Sequence, residues 1–349
     1  MIFNSKLAIV CNHTLVDLQE LFRVKSQLKN EGMCCNTLFM TNFFAPASLN
    51  VSRVPSAFSK KPFYDFFMIL DLMYTPILLS YLLFKRVKYI HFTTVHSSNL
   101  LLAILARVFG IRLIFTIHRF DLSSYDSFRR ILLGLYNRLI IKLAYKVVTL
   151  SSTLKVPSNK LKVIPLAGFS QHVTNSKNKG KYYLFFGRID DYKGLDNICI
   201  IAKALPNVEF VVAGSGKSKH LSKLIALSNV RIMNRFIEPD EVLGLFKHAK
   251  ACLLPYKSAT QSGVQILSYS YATPVIANNV GNIKEFVRVG KTGFLVENNI
   301  QFIESIELMD KIDIQAMSNY CIEYFEKKFS DKILKKQYKE FYSSLLDIK

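Results

Sequence analysis

Residues Tyr182 to Asp196 read YYLFFGRIDDYKGLD, and the unbroken apolar run that opens them constrains the fold more than any other stretch. Five successive aromatic or aliphatic residues do not suit a half-solvated surface. They suit a strand buried on both faces of a parallel sheet, with Gly187 turning the chain at its end. Arg188 is then expected at the C-terminal edge of that strand, the edge at which open α/β sheets bind ligands. Lys193 follows five residues later, ahead of Gly194 and an apolar helix from Leu195 to about Leu205. A guanidinium fork that binds bidentately and an ammonium that adds a point charge together suit a diphosphate. The alternative is two solvated charges on a loop.

The string FGRIDDYKGLD resembles the segment that opens the C-terminal domain in glycosyltransferase family 4, the retaining GT-B enzymes of bacterial surface-polysaccharide or lipopolysaccharide assembly. The resemblance is strongest from about Lys181 to Val296 and looser before it. It implies an α/β, GT-B chain of two Rossmann-like doubly wound domains facing across a cleft, with a C-terminal helix crossing back. Residues 1–170 would bind the acceptor, 171–328 the nucleotide sugar, and 329–349 would form the crossing helix. Arg188 and Lys193 would hold the diphosphate of a UDP- or GDP-sugar donor.

Length and pattern point the same way from the residues themselves. A chain of 349 residues exceeds what one core usually holds, so two domains are expected. Apolar runs alternate with helical patterns throughout, with strands expected near Leu7–Cys11, Cys34–Met40, Tyr89–Phe92, Arg112–Ile117 and Lys146–Leu150. A polar, glycine-bearing stretch at Gly168–Lys181 marks the boundary. Beyond it, strands are expected near Val208–Ala213, Arg231–Met233, Ala251–Leu254, Pro274–Ala277 and Phe294–Val296. The opening MIFNSKLAIV lacks a cleavable apolar leader pattern, which implies a cytoplasmic protein. Six cysteines without paired C-x-x-C spacing read as reduced core thiols.

The net charge is +21, and residues 1–170 carry 21 basic against 7 acidic side chains, so +14 of it lies in the first half. No nucleic-acid motif accompanies the charge, which favours anionic lipid or a phosphate-bearing substrate over nucleic acid. The segment Ser123–Lys146 has Arg130, Arg138, Lys142 and Lys146 near one stripe and Ile131, Leu135, Leu139 and Leu143 near another. It is either an interfacial helix or an ordinary helix with a solvated outer face. Phe63–Phe84 is very apolar, but Asp65, Asp71 and Pro76 argue against a span, since a mid-span aspartate costs about 2.5 to 3.5 kcal/mol.

Further candidates lie at strand ends. His118 closes RLIFTIH, and the resemblance implies contact with donor sugar or acceptor there; a strand-end histidine can also simply cap the sheet. His91 is expected in the core, and His96 is a weaker acceptor-side candidate. Gly214 and Gly216 follow a strand and permit close approach of a ligand. The turn after the first strand, CNHTLVDLQ, lacks the glycines that many relatives carry, leaving His13 as a substitute donor or a cap.

In the stretch Leu253–Val287, Gln261, Ser262 and Gly263 open a helix whose first amides attract anions, a second phosphate or sugar clamp. The family commonly places two glutamates eight residues apart in this stretch. The aligned positions hold Thr260 and Ser268, so a short neutral hydroxyl stands where the resemblance implies a ribose-binding carboxylate. Glu285 matches a later family glutamate, or is a charge at a helix N-terminus. No D-x-D motif is present, so the sequence requires no metal, and no cofactor is required besides the donor. The function this implies is transfer of a sugar from a nucleotide-diphosphate sugar to a hydroxyl of a glycan or lipid-linked acceptor, peripheral to the cell membrane. A non-catalytic GT-B-fold subunit that binds a sugar nucleotide or supports a partner enzyme is the alternative.

Overall fold

The structure, a computed structural model, describes residues 7–11, 37–41, 52–53, 75–92, 98–117, 127–152, 156–166, 180–259 and 262–346. The chain forms two compact units, Met1–Ile164 with Lys335–Lys349, and Pro165–Leu334.

The first unit is built on a seven-stranded sheet of β1 (Leu7–Cys11), β2 (Thr37–Thr41), β3 (Ser52–Arg53), β4 (Tyr89–Phe92), β5 (Arg112–Ile117), β6 (Lys146–Thr149) and β7 (Leu161–Val163). Their order is β3-β2-β1-β4-β5-β6-β7, all parallel. Strand β4 is buried at every position and β5 at all but Arg112, as continuous apolar strings in a parallel sheet require. Helices α1 (75–84), α2 (Ser98–Val108) and α3 (Ser127–Leu143) accompany these strands. The expected helix Ser123–Lys146 ends at Leu143. Lys146 instead opens β6 opposite Ile114, and its ammonium donates to the Asn159 carbonyl at 2.7 Å.

The second unit holds a six-stranded parallel sheet of β8 (Tyr182–Phe186), β9 (Phe210–Gly214), β10 (Val230–Asn234), β11 (Ala249–Leu254), β12 (Val275–Asn278) and β13 (Gly293–Val296). Its order is β10-β9-β8-β11-β12-β13, so the winding reverses between β8 and β11. Helices α4 (Leu195–Ala204), α5 (Leu221–Ile225), α6 (Pro239–His248), α7 (Gly263–Ser270), α8 (Asn299–Met309) and α9 (Ile314–Lys328) accompany it. Two apolar clusters draw on β8: Tyr182, Leu184 and Phe185 join Phe246, Tyr269 and Phe325, whereas Tyr183 joins Phe210, Phe302 and Met309. Each buried side chain of this size contributes about 1.5 to 3 kcal/mol relative to exposure. Cys199, Cys252 and Cys321 are buried and in no disulfide, in keeping with core thiols.

The last helix, α10 (Asp331–Leu346), returns the chain to the first unit. His91 is fully buried there, with Nδ1 2.6 Å from the Tyr342 hydroxyl and Nε2 2.8 Å from Thr116 Oγ1. This is the core histidine expected on β4; Nδ1 ties α10 to the sheet, and Nε2 joins β4 to its neighbour β5.

Candidate functional site

The candidate site is the C-terminal edge of the second sheet at the reversal between β8 and β11, the position at which a doubly wound sheet opens a ligand crevice. Strand β8 ends at Phe186, Gly187 follows it, and a short 3-10 turn over Asp191–Lys193 leads into α4. Gly194, at φ +78°, is the hinge between the two. A Cβ there would lie 1.8 Å from the Pro255 carbonyl oxygen, so only glycine lets this loop rest against the end of β11. Asn197 Nδ2 donates to that same carbonyl at 3.2 Å, and Lys257 N donates to Tyr192 O at 2.9 Å. The two sides of the reversal are therefore joined backbone to backbone.

Both predicted cations stand on this loop. Arg188 is exposed, 57% at its side chain; its Nη2 donates to the Tyr192 hydroxyl at 2.9 Å, and its Nε lies 3.6 Å from Asp190 Oδ2. Lys193 Nζ sits 3.6 Å from the centroid of the fully buried Tyr256 ring and 5.3 Å from that of Tyr192. The Arg188 guanidinium carbon is 5.5 Å from the Tyr192 centroid. One ring thus brings the two charges together, and a second holds the ammonium in place, an attraction worth about 2 kcal/mol where water is excluded. Asp191 braces the turn by accepting from Ser218 Oγ at 2.6 Å and from Lys219 N at 3.3 Å, and these bonds hold its carboxyl below the usual range.

Gly214 and Gly216 pack the next loop against this one. A Cβ on the first would fall 1.8 Å from Gly187 O, and on the second 2.1 Å from Ile189 O. Their role in the structure is close approach of two backbones. Helix α7 meets the site through Val264, whose Cγ2 would be 3.3 Å from a Cβ on Gly187. The Ser262 hydroxyl accepts from Gln265 N at 3.2 Å as the N-cap, so the amides of Gly263 and Val264 begin the helix beside Gly187, a favourable place for an anion.

Ser268 is not brought to this edge. It is wholly buried, and its Oγ donates to the Thr273 carbonyl at 2.7 Å, because its position on α7 faces the sheet rather than the loops. Glu285 stands on the 3-10 turn Ile283–Phe286, which Gln265 ties to α7 by donating to Ile283 O at 3.1 Å; Arg288 Nη1 donates to the Glu285 carbonyl. His118, Gln261, Thr260, His13, His96 and the turn after β1 lie outside the described residues. The aromatic pair Tyr192 and Tyr256 was missed in the sequence. The signal for Tyr256 was its place directly after β11 at the reversal, but its contact with Lys193, 63 positions away, is a tertiary event.

On the first unit, α3 carries Ile131 and Leu135 at 65% and 57% exposure beside the exposed Arg138 and Lys142. These four residues are therefore all exposed on α3, whereas Leu143 of the apolar stripe packs against the core. Among the described residues no helix is long and apolar enough to cross a membrane, and residues 63–74 of the apolar stretch lie outside them.

Comparison with known proteins places this geometry. Residues 180–310 match the family model described as Glycosyl transferases group 1. An uncharacterized 41.2 kDa protein in the cps region of Klebsiella pneumoniae is 28% identical over 165 residues, 46% of each chain. A D-inositol 3-phosphate glycosyltransferase of Mycobacterium sp. strain KMS is 31% identical over 124 residues, 33% of this chain and 28% of that one. The chain thus spans less than half the length of these curated relatives. Among solved structures, sucrose-phosphate synthase from Thermosynechococcus elongatus superposes with a TM-score of 0.75 at 15% identity, covering 98% of this chain and all of that one. The lipopolysaccharide outer core galactosyltransferase WaaB gives 0.74 at 13% identity, covering 98% and 99%. Anabaena HepE in complex with UDP gives 0.72 at 14%, covering 97% and 100%. Two parallel doubly wound units with these neighbours over nearly the full chain are the two-domain GT-B fold.

Proposed function

We propose that this protein is a retaining glycosyltransferase that moves a sugar from a UDP- or GDP-sugar to a hydroxyl of a glycan or lipid-linked glycan acceptor. The observation that carries the reading is the placement of Arg188 and Lys193 on one loop at the sheet reversal, fixed by Tyr192 and Tyr256 beside the first turn of α7. As the bond from sugar to diphosphate breaks, charge builds on the leaving phosphate. Two preset cations and helix-terminal amides stabilise that charge without reorganising at the moment of reaction. Of the nearby carboxylates, Asp190 lies beside Arg188, Asp191 accepts from Ser218, and Asp196 on α4 meets Lys257 through Oδ2 at 2.6 Å. That supports same-face substitution, in which the donor phosphate takes the acceptor proton, over a nucleophilic carboxylate.

The match to the glycosyl transferases group 1 model and the UDP bound by HepE support a nucleotide-sugar donor. A relative in a cps region and the fold shared with WaaB support surface-glycan assembly. The exposed apolar and basic residues of α3 support a peripheral position on the inner face of the cell membrane. The test is to incubate the purified protein with a panel of sugar nucleotides and follow release of nucleoside diphosphate. Slow hydrolysis of one or two donors is expected. Nucleotide binding with no turnover across the panel would instead make the chain a non-catalytic sugar-nucleotide-binding subunit.

A further inference from the structure

A second cationic cavity lies in the first unit, at the N-terminal edge of β4 and β5, the end opposite to the one at which such sheets bind their usual ligands. It has a volume of about 650 Å³, within the range of small-molecule sites. Arg86, Lys88 and Arg112 supply its charge, and among the described residues no carboxylate lines it. Its apolar part includes the buried Val87, Ile111 and Leu345, with Phe109, 58% exposed, at the lip.

Cations at helix C-termini often only complement the helix dipole, as Lys160 does here by donating to Ile141 O and Lys142 O. Two observations set this cavity apart from that case. Helices α1 and α2 close with the same pair of backbone bonds: Arg86 N to Leu83 O with Val87 N to Leu82 O, and Gly110 N to Arg107 O with Ile111 N to Ala106 O. The left-handed residue is glycine in one, Gly110 at φ +79°, and arginine in the other, Arg86 at φ +54°. An arginine is thus kept at a backbone position that favours glycine, and its side chain lines the cavity. Arg112 is also fixed before any ligand arrives. Its Nη1 donates to the Tyr89 hydroxyl at 2.8 Å, and its guanidinium carbon lies 4.9 Å and 5.6 Å from the Tyr145 and Tyr89 ring centroids.

We propose that this cavity is a second anion site, which binds a phosphate group attached to an apolar body. Arg86, Lys88 and Arg112 would take the phosphate, and Val87, Ile111, Phe109 and Leu345 would cover the apolar part. The proposal stands apart from the donor site, since every lining residue belongs to the first unit.

Calorimetry on the full chain tests it, in an Arg188→Ala/Lys193→Ala background that mutes phosphate binding at the other sheet. Two probes separate the sources of phosphate: inorganic phosphate, and dihexanoyl phosphatidate kept below its micelle concentration. Saturable phosphatidate binding at least tenfold tighter than inorganic phosphate is expected, and it assigns a lipid headgroup. Binding of inorganic phosphate with equal or greater affinity assigns a soluble phosphate source and removes the apolar body from the proposal. In either case Arg86→Gly/Lys88→Gln should weaken binding by about tenfold or more, the effect of losing charge-assisted contacts. Glycine is compatible with the backbone at position 86, so this variant keeps the fold. Absence of saturable binding of either probe, or binding unchanged in that variant, overturns the proposal.

Discussion

Gly194 and Gly290 give a paired test of the contact that holds the donor loop. Both belong to the second unit, and both have left-handed backbones of nearly equal angle, φ +78° and +73°. They differ in surroundings: a Cβ at Gly290 meets nothing within 4 Å, whereas one at Gly194 would lie 1.8 Å from Pro255 O and 2.7 Å from its carbon. Gly290→Ala should therefore cost only the left-handed penalty of about 1 to 2 kcal/mol. Gly194→Ala adds displacement of backbone from backbone, about 1 to 3 kcal/mol more, for a total of about 2 to 5 kcal/mol. For a unit of this size each kcal/mol lowers Tm by roughly 2 to 4 °C, so urea and thermal unfolding resolve the difference. Moving residue 194 off Pro255 also draws Lys193 from its seat on Tyr256. Nucleotide affinity should then fall by about tenfold in Gly194→Ala and stay unchanged in Gly290→Ala. Equal destabilisation by the two substitutions, or unchanged nucleotide affinity in Gly194→Ala, would refute the reasoning.

Three other outcomes are expected. Ser268→Glu should destabilise the second unit by several kcal/mol and not tighten nucleotide binding, because it puts a carboxylate where a wholly buried hydroxyl meets the Thr273 carbonyl; a urea midpoint and a UDP titration check both halves. Glu241 is held at about 2 by Arg235 and the Glu238 amide, and Asp191 is also lowered. Folded-state values below the unfolded ones mean that their stabilisation is present above the ordinary carboxylate range and lost as pH falls towards 2. Denaturant midpoints should drop across that window, and less so in Glu241→Gln. Sedimentation with anionic vesicles should show binding that weakens at 1 M salt and in Arg138→Glu/Lys142→Glu; indifference to anionic vesicles at low salt would remove the membrane position.

Much of the fold was legible because a strand buried on both faces must be a continuous apolar string. YYLFF, YIHF and RLIFT show this directly, and their observed ends fall at or within a residue of the expected ones. The edge strands of the first sheet were not legible. Strand β7, LKV, is half-buried throughout, and β3 is two residues long, so neither carries an apolar run to read. The end of α3 was misplaced because Lys146 keeps the helical spacing of the basic stripe, while strand pairing with Ile114 decides its conformation. At the site, the cations were visible as residue types, but their seating on Tyr192 and Tyr256 was not. A gap left by a missing Cβ at Gly194 has no signature beyond the glycine itself. Ser268 was misread because a one-dimensional alignment gives its position along α7 but not its face.

The central claim is that Arg188 and Lys193 hold the diphosphate of a sugar nucleotide as it departs. The most direct test is the turnover of whichever donor the panel identifies, measured with Arg188→Ala and with Lys193→Ala. Arg188 is exposed, so its removal leaves the fold intact. A charge-assisted bond worth about 1.5 to 3 kcal/mol in the transition state predicts a loss of at least about tenfold in kcat/KM for either variant. Turnover near that of the unaltered protein in a folded Arg188→Ala variant would contradict the account.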